Sequence, residues 1–327
     1  MTRTKGPARA TARTDAPGRA MARPCTLVVV TGTGTEVGKT WVSAAVLTEL
    51  SRRGWTVAAR KPVQSFDGDA AGRPLEPTDA DILASATNDT ADRVCPPHRQ
   101  YPLAAAPPLA AQRLGRTAPT LAELVDETAL SWPSPAVDIG LVEGAGGLLS
   151  PLVAREQEPG PDTARPPTAR TIPGANDSTL GLISALAPDV VIVVADAGLG
   201  VIHHVRATVG GLTPRPAPGP GPAPALIVHL NRYQPATPTH AESAAWLRDE
   251  GAGVFHLSTS PEDTAALIEQ AAPQHCRWCG QRIADGHFCP DRPFDPPRHC
   301  PRCGRVSRVA VTPLGHSTTC RVHGSLG

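Results

Sequence analysis

The chain has 327 residues, with 37 Pro, 30 Gly, 5 Trp, 2 Tyr, 4 Phe and 8 Cys, at a formal net charge of +1. That length holds two or three domains, and no apolar run approaches the roughly 20 residues of a bilayer-spanning helix, so no membrane role is expected. Residues 1–24 carry six Lys/Arg against Asp15, and residues 275–327 carry eight Arg against three Asp. These +5 ends leave −9 for residues 25–274, and a body of that sign argues against nucleic-acid binding over its main surface.

Residues 1–24 are Ala, Arg, Thr, Pro and Gly without apolar periodicity, which predicts a disordered basic leader. Met21, the one methionine besides Met1, stands just before the first apolar run, so either is a candidate start. Buried strands are predicted at 26–31, 56–59, 138–143, 190–196, 225–230 and 253–257. Helices are predicted between and after them, at 39–52, 79–87, 120–130, 179–187, 204–212, 240–250 and 261–271. That alternation predicts an α/β fold of the P-loop NTPase kind, a mostly parallel sheet covered by helices on both faces. Residues 155–178 and the Pro/Gly-rich 213–224 read as extended surface loops, since the alternation resumes after each. It stops at Pro273. The expected organisation is therefore a leader (1–24), a P-loop body (25–273) and a small Cys-rich module (274–327).

The first strand runs into GTGTEVGKT (32–40) and then directly into a helix. A Gly-rich turn in that position aims backbone N–H groups and the positive helix end at a polyanion. Lys39 would reach the terminal phosphates and the Thr40 hydroxyl would coordinate magnesium. Thr33 stands where the strict phosphate-loop pattern has glycine. Only three lysines exist, Lys5, Lys39 and Lys61, against 28 arginines. Lys61 ends the second strand, at the sheet edge where ligands of open parallel sheets bind, and can neutralise a transferring phosphoryl group. Glu143 ends the third strand and can hold magnesium directly or through water. Asp79 and Asp81 open a helix, where either is a cap or a second metal carboxylate.

Together, GTGTEVGKT (32–40), KPVQS (61–65), Asp79, VEGAGGLLSPL (142–152), GLGVIHH (198–204) and Asn231 resemble dethiobiotin synthetase. The resemblance implies a cytoplasmic homodimer that uses ATP and Mg2+ to carboxylate 7,8-diaminopelargonate with CO2 and close the ureido ring of dethiobiotin. On this resemblance Gly34, Glu36, Val37, Gly38, Lys39 and Thr40 cradle the nucleotide, and Asn231 contacts adenine. Thr40, Asp79 and Glu143 hold Mg2+. Lys39, Lys61, Thr35 and Ser65 serve the reacting carbamate and phosphoryl groups. The partner subunit's helix start, equivalent to Gly200, Val201, Ile202 and His203, docks the substrate carboxylate. His203 departs from the family's usual asparagine.

Six of the eight cysteines fall in the last 52 residues. CPRC (300–303) followed after 16 residues by CRVH (320–323) is four-ligand metal spacing: Cys300, Cys303, Cys320 and His323. Cys276, Cys279 and Cys289, with His287 as a fourth candidate, form a second set. Zinc and iron–sulfur clusters both suit such thiolates. The tail, about residues 275–324, resembles the actinobacterial biotin synthase auxiliary protein, with the run 295–324 carrying its pattern. That resemblance implies an iron–sulfur module serving biotin synthase, with tail arginines facing an acidic partner. The competing reading of the whole chain is a partitioning-type P-loop ATPase with a zinc-ribbon tail that binds DNA or protein.

Overall fold

The computed structural model describes residues 23–155, 174–213, 223–283, 287–289, 295–313 and 315–326. Its elements, in chain order, are β1 (Thr26–Gly32), α1 (Lys39–Arg52), β2 (Val57–Arg60), β3 (Gln64–Ser65), α2 (Asp79–Thr87), α3 (Ala91–Val94), β4 (Gln100–Tyr101), α4 (Pro107–Arg113), α5 (Leu121–Leu130) and β5 (Ile139–Glu143). There follow α6 (Thr179–Leu186), β6 (Val190–Asp196), α7 (Val201–Leu212), β7 (Ala225–Asn231), α8 (Pro238–Glu250), β8 (His256–Ser258), α9 (Pro261–Ala271), β9 (Arg308–Thr312), β10 (Gly315–Cys320) and β11 (Gly324–Ser325).

Six strands form one parallel sheet in the order β2-β5-β1-β6-β7-β8. β1 is central because its Leu27–Val30 run is apolar and the whole strand is buried on both faces. Its side chains alternate: Val28 and Val30 pack with Leu47, Leu50 and Ile268 on one face, and Leu27 and Val29 with Leu124 and Leu182 on the other. A third cluster joins Val193 and Leu230 to Val205 of α7 and Leu247 of α8. The chain leaves β1 toward β2 and β5 on one side and crosses to β6 on the other. That reversal opens a crevice at the carboxyl end of β1.

The predicted alternation is found, with local differences. β8 lies at 256–258 rather than 253–257, because Gly253 at φ 79° belongs to the turn after α8. α7 begins at Val201, three residues early, because Gly200 at φ 89° is its N-cap. The short β3–β4 pair, α3 and α4 were not anticipated. The leader is shorter than expected at its end. Pro24 is buried beside Gly140, and the Arg23 guanidinium donates to the Ala187 carbonyl at 2.7 Å. Residues 1–22, with Met1 and Met21, and the centres of the two predicted loops (156–173 and 214–222) lie outside the described residues. The described end of the first loop is pinned, since the Leu152 amide donates to the Asp177 carbonyl at 2.8 Å.

The Cys-rich region forms a three-stranded sheet, β11-β10-β9, preceded by two C-x-x-C turns of the same design. Gly280 follows Cys279 at φ 74° and Gly304 follows Cys303 at φ 67°. A β-carbon on either glycine would come within 2.5 Å of the other's carbonyl, so the two turns sit back to back. No helix among the described residues is long and apolar enough to cross a membrane.

Candidate active site

The phosphate loop is held open by its own backbone. Glu36 and Gly38 both take positive φ, 59° and 91°. Gly38 is required on a second count: a β-carbon there would strike the Asn231 amide nitrogen at 2.0 Å. Asn231, at the end of β7, donates to the Val37 carbonyl at 3.0 Å and so braces the loop from the neighbouring strand. The loop after β5 braces it from the other side, with the Leu148 amide donating to the Gly32 carbonyl at 3.2 Å. Lys39 lies over the loop, its ammonium donating to the Gly34 carbonyl at 3.0 Å. Burial, and then the nearby charge of Lys61, hold the Lys39 pKa below its ordinary value.

Behind the loop, three elements converge on one point. Lys61, just after β2, is 2% exposed, and its ammonium lies 2.7 Å from both Asp79 and Glu143 and 3.2 Å from the Gly144 carbonyl. Burial alone would lower its pKa, but the two carboxylates outweigh that and raise it. Asp79 responds in the opposite sense. Burial pushes its pKa up, while the charge and hydrogen bond of Lys61 and the hydroxyl of Thr40 bring it below the ordinary carboxylate value. Ser43, one helical turn after Thr40 on the same face of α1, donates to the second Glu143 oxygen at 2.8 Å.

The Thr40 hydroxyl has one proton, yet its oxygen lies 2.8 Å from Asp79 Oδ1 and 2.8 Å from Glu143 Oε1. Three hard oxygens thus face one another with too few protons between them, a donor set that suits Mg2+. Of the two candidate aspartates, Asp79 points into this cluster. Asp81 closes a capping box with Thr78 and is engaged there.

The other predicted residues are distributed around this centre. Ser65 lines a cavity of 290 Å³ together with Thr78 and Asp79, and its buried hydroxyl has no protein partner. Thr35 lines a different cavity, of 690 Å³, between the phosphate loop, Leu149 and Ser150, and Thr208 of α7. Gly200 and Val201 open α7, where His203 is exposed and the adjoining Leu199 is fully so. Within one chain that helix start faces outward rather than into the Lys61 cluster. Sequence reasoning missed Ser43, although its three-residue spacing from Thr40 was a usable signal.

The cysteines form two groups, each offering four ligand atoms within 4.8 Å of one another: Cys276, Cys279, His287 and Cys289, and Cys300, Cys303, Cys320 and His323. All eight cysteines of the chain are free of disulfides. Tetrahedral metal–sulfur bonds of about 2.3 Å put neighbouring sulfurs about 3.8 Å apart. Cys303 and Cys320 stand at 3.8 Å. In the first group, burial opposes ionisation of Cys276, but the backbone amides of Cys279 and Trp278 bring its thiol down to about 6. The eight tail arginines were expected to face a partner. Of the seven described, three contact the body: Arg282 pairs with Asp189 at 2.6 Å, Arg302 stacks 3.7 Å over Trp55, and Arg305 donates to the Ala136 carbonyl, while Arg292 lies outside the described residues. Arg277, Arg298, Arg308 and Arg321 remain exposed.

Residues 26–157 match a family described as an AAA domain. The chain is 39% identical over 189 residues to the ATP-dependent dethiobiotin synthetase of Anaeromyxobacter sp. strain K, covering 57% of this chain and 70% of that protein. It is 42% identical over 132 residues to the enzyme of the same name from Methylobacterium nodulans, covering 38% of this chain and 57% of the relative. Among solved structures it is similar to ParA of pNOB8 bound to nonspecific DNA, at 15% identity and a TM-score of 0.40. That likeness covers 73% of this chain and 80% of the other.

Proposed function

The chain belongs to the ATP-dependent dethiobiotin synthetase family, and from that premise we propose that residues 25–273 carboxylate 7,8-diaminopelargonate with CO2 and close the ureido ring of dethiobiotin, releasing ADP and phosphate. The observation that carries the reading is the convergence of Thr40, Lys61, Asp79 and Glu143 behind the phosphate loop.

The chemistry follows from those positions. A carbamate on one substrate amine is a weak nucleophile, and its attack on the γ-phosphate is assisted chiefly by alignment and by cations. Lys61 is fixed by three partners, and Lys39 can swing from the Gly34 carbonyl to the phosphates. Backbone amides from Gly34 to Thr40 hold the phosphate chain, and Asn231 supports the base. Mg2+, held by Thr40, Asp79 and Glu143, would neutralise β- and γ-phosphate charge. The free hydroxyl of Ser65 is a donor for the carbamate, with Thr35 on the opposite side of the loop. The second amine then attacks the carbamic–phosphoric anhydride, forming the C–N bond of the ring while phosphate leaves.

In this reading the chain acts as a homodimer. The outward-facing helix start at Gly200, Val201, Ile202 and His203 then docks the substrate carboxylate of the partner's site on the backbone amides of its first turn, which no side chain caps. Residues 274–327 act as a metal module, zinc or iron–sulfur, that serves biotin synthase. Supporting this are the two four-donor groups and the four exposed arginines. The direct test is ADP release by the purified chain with bicarbonate present. Release that requires diaminopelargonate is expected, and release indifferent to it would overturn the proposal.

A further inference from the structure

One buried carboxylate plays no part in the reaction. Asp138 immediately precedes β5, at the other end of the strand from Glu143, and is 1% exposed. Its Oδ2 accepts the Thr56 amide at 2.9 Å and the Thr56 hydroxyl at 2.8 Å. Its Oδ1 faces out of the body and lies 2.7 Å from Nε2 of His323. Both side chains are shut away from water, the histidine at 2% exposure and the aspartate at 0%.

On the same imidazole, Nδ1 lies 3.1 Å from the Cys300 sulfur and 3.7 Å from that of Cys320. A neutral imidazole that offers Nδ1 to a metal must carry its proton on Nε2. In a dry setting that N–H needs an acceptor, and Asp138 is the acceptor in place. Around this contact the module seats on the amino-terminal edge of the sheet. Asp189 takes Arg282 on one oxygen and the Leu27 amide on the other, at 2.6 and 2.8 Å. The Arg305 guanidinium donates to Ala136, two residues before Asp138. The Cys25 thiol approaches the Cys303 carbonyl at 4.0 Å.

We propose that Asp138, a residue of the ATP-dependent body, is the outer carboxylate of a metal centre formed by Cys300, Cys303, Cys320 and His323, so that metal binding and docking of the tail on the body are one equilibrium. This deepens the metal-module reading and rests on it. It is independent of the ring-closing activity. By reciprocity, whatever strengthens the docked state strengthens metal binding, and the converse.

The experiment uses the full chain carrying Cys276→Ser and Cys279→Ser, so that one site is read, with Zn2+ as the probe in competition with a chromophoric chelator. Asp138→Asn is expected to weaken zinc binding by about 10- to 100-fold. In a His323→Cys background, where the fourth ligand has no second nitrogen, the same substitution should leave the affinity essentially unchanged. Equal losses in both backgrounds, or none in either, would overturn the assignment. Docking is read by amide hydrogen exchange at Thr26 and Ile139, which zinc should slow in the starting chain. His323→Cys decides the matter even if Asp138→Asn does not fold. It keeps four zinc donors without the link to Asp138, so zinc should no longer slow that exchange, and slowing that persists would contradict the proposal.

Discussion

The two ends of β5 carry buried carboxylates that are used in opposite ways. Glu143 meets Lys61, Thr40 and Ser43 beside polar groups left spare, among them the Ser65 hydroxyl and the Gln64 amide nitrogen. Asp138 meets Thr56 twice and His323 once, and both its oxygens are engaged. Buried polar atoms without partners are costly. Those beside Glu143 line the cavity where a ligand would supply the missing bonds, whereas the Asp138 carboxylate spends both oxygens on Thr56 and His323, although Arg302 and Arg305 of the tail keep unpartnered guanidinium nitrogens. At about 3.3 Å per residue the two carboxylates stand about 17 Å apart, and they share no hydrogen-bond partner.

The sharpest way to break this contrast is Lys61→Arg. Glu143, Asp79 and the Gly144 carbonyl converge on one compact ammonium, a geometry that a planar guanidinium fork does not reproduce. Turnover should fall by about 10²- to 10³-fold or more, while ATP binding by the phosphate loop is largely kept. Single-turnover kinetics and nucleotide titration check this, and near-native turnover would remove Lys61 from the mechanism.

A smaller effect is expected at the Asp138 end. Withdrawing the tail metal with a zinc- or iron-selective chelator, under excess Mg2+, should lower the thermal midpoint by about 3 °C or more. The initial ATP turnover rate should stay within about twofold, because none of the partners of Asp138 touches the Lys61 cluster. Loss of turnover in step with the metal would mean that the two ends are not separate.

The smallest effect concerns neither end. His229, in β7, is buried beside Thr264, and burial lowers its pKa to about 4. The folded chain therefore stays neutral there while the unfolded chain, near 6.5, takes up a proton. Stability should be whole above pH 6.5 and drain away as pH falls toward 4, by roughly 3 kcal/mol at most. Denaturant melts of His229→Gln across that range should show a flatter profile than the native chain, and an unchanged slope would dismiss the histidine as its source.

Much of the reactive end was legible because its parts are local. A glycine-rich turn between an apolar strand and a helix, and rare lysines at strand ends, can be read in short windows of sequence. Asp79 and Asp81 could not be separated that way, since both suit the first turn of a helix. Only the fold reveals that one faces Thr40 and the other its own cap. The joint was not legible at all. Asp138 and His323 are 185 residues apart, and Asp138 read alone is an ordinary residue ahead of a strand. The body contacts of Arg282 and Arg302 were hidden for the same reason, since their partners, Asp189 and Trp55, lie far back in the chain. β3 and β4 are two residues each, too short for a periodicity to register.

A site that joins CO2 to a diamine at the expense of ATP must leave that carbon in its product. The most direct measurement is mass spectrometry of the product formed from diaminopelargonate, ATP and 13C-labelled bicarbonate. Dethiobiotin bearing one labelled carbon in the ureido ring, formed in step with ADP, is the expected product. ATP hydrolysis without labelled product would contradict it.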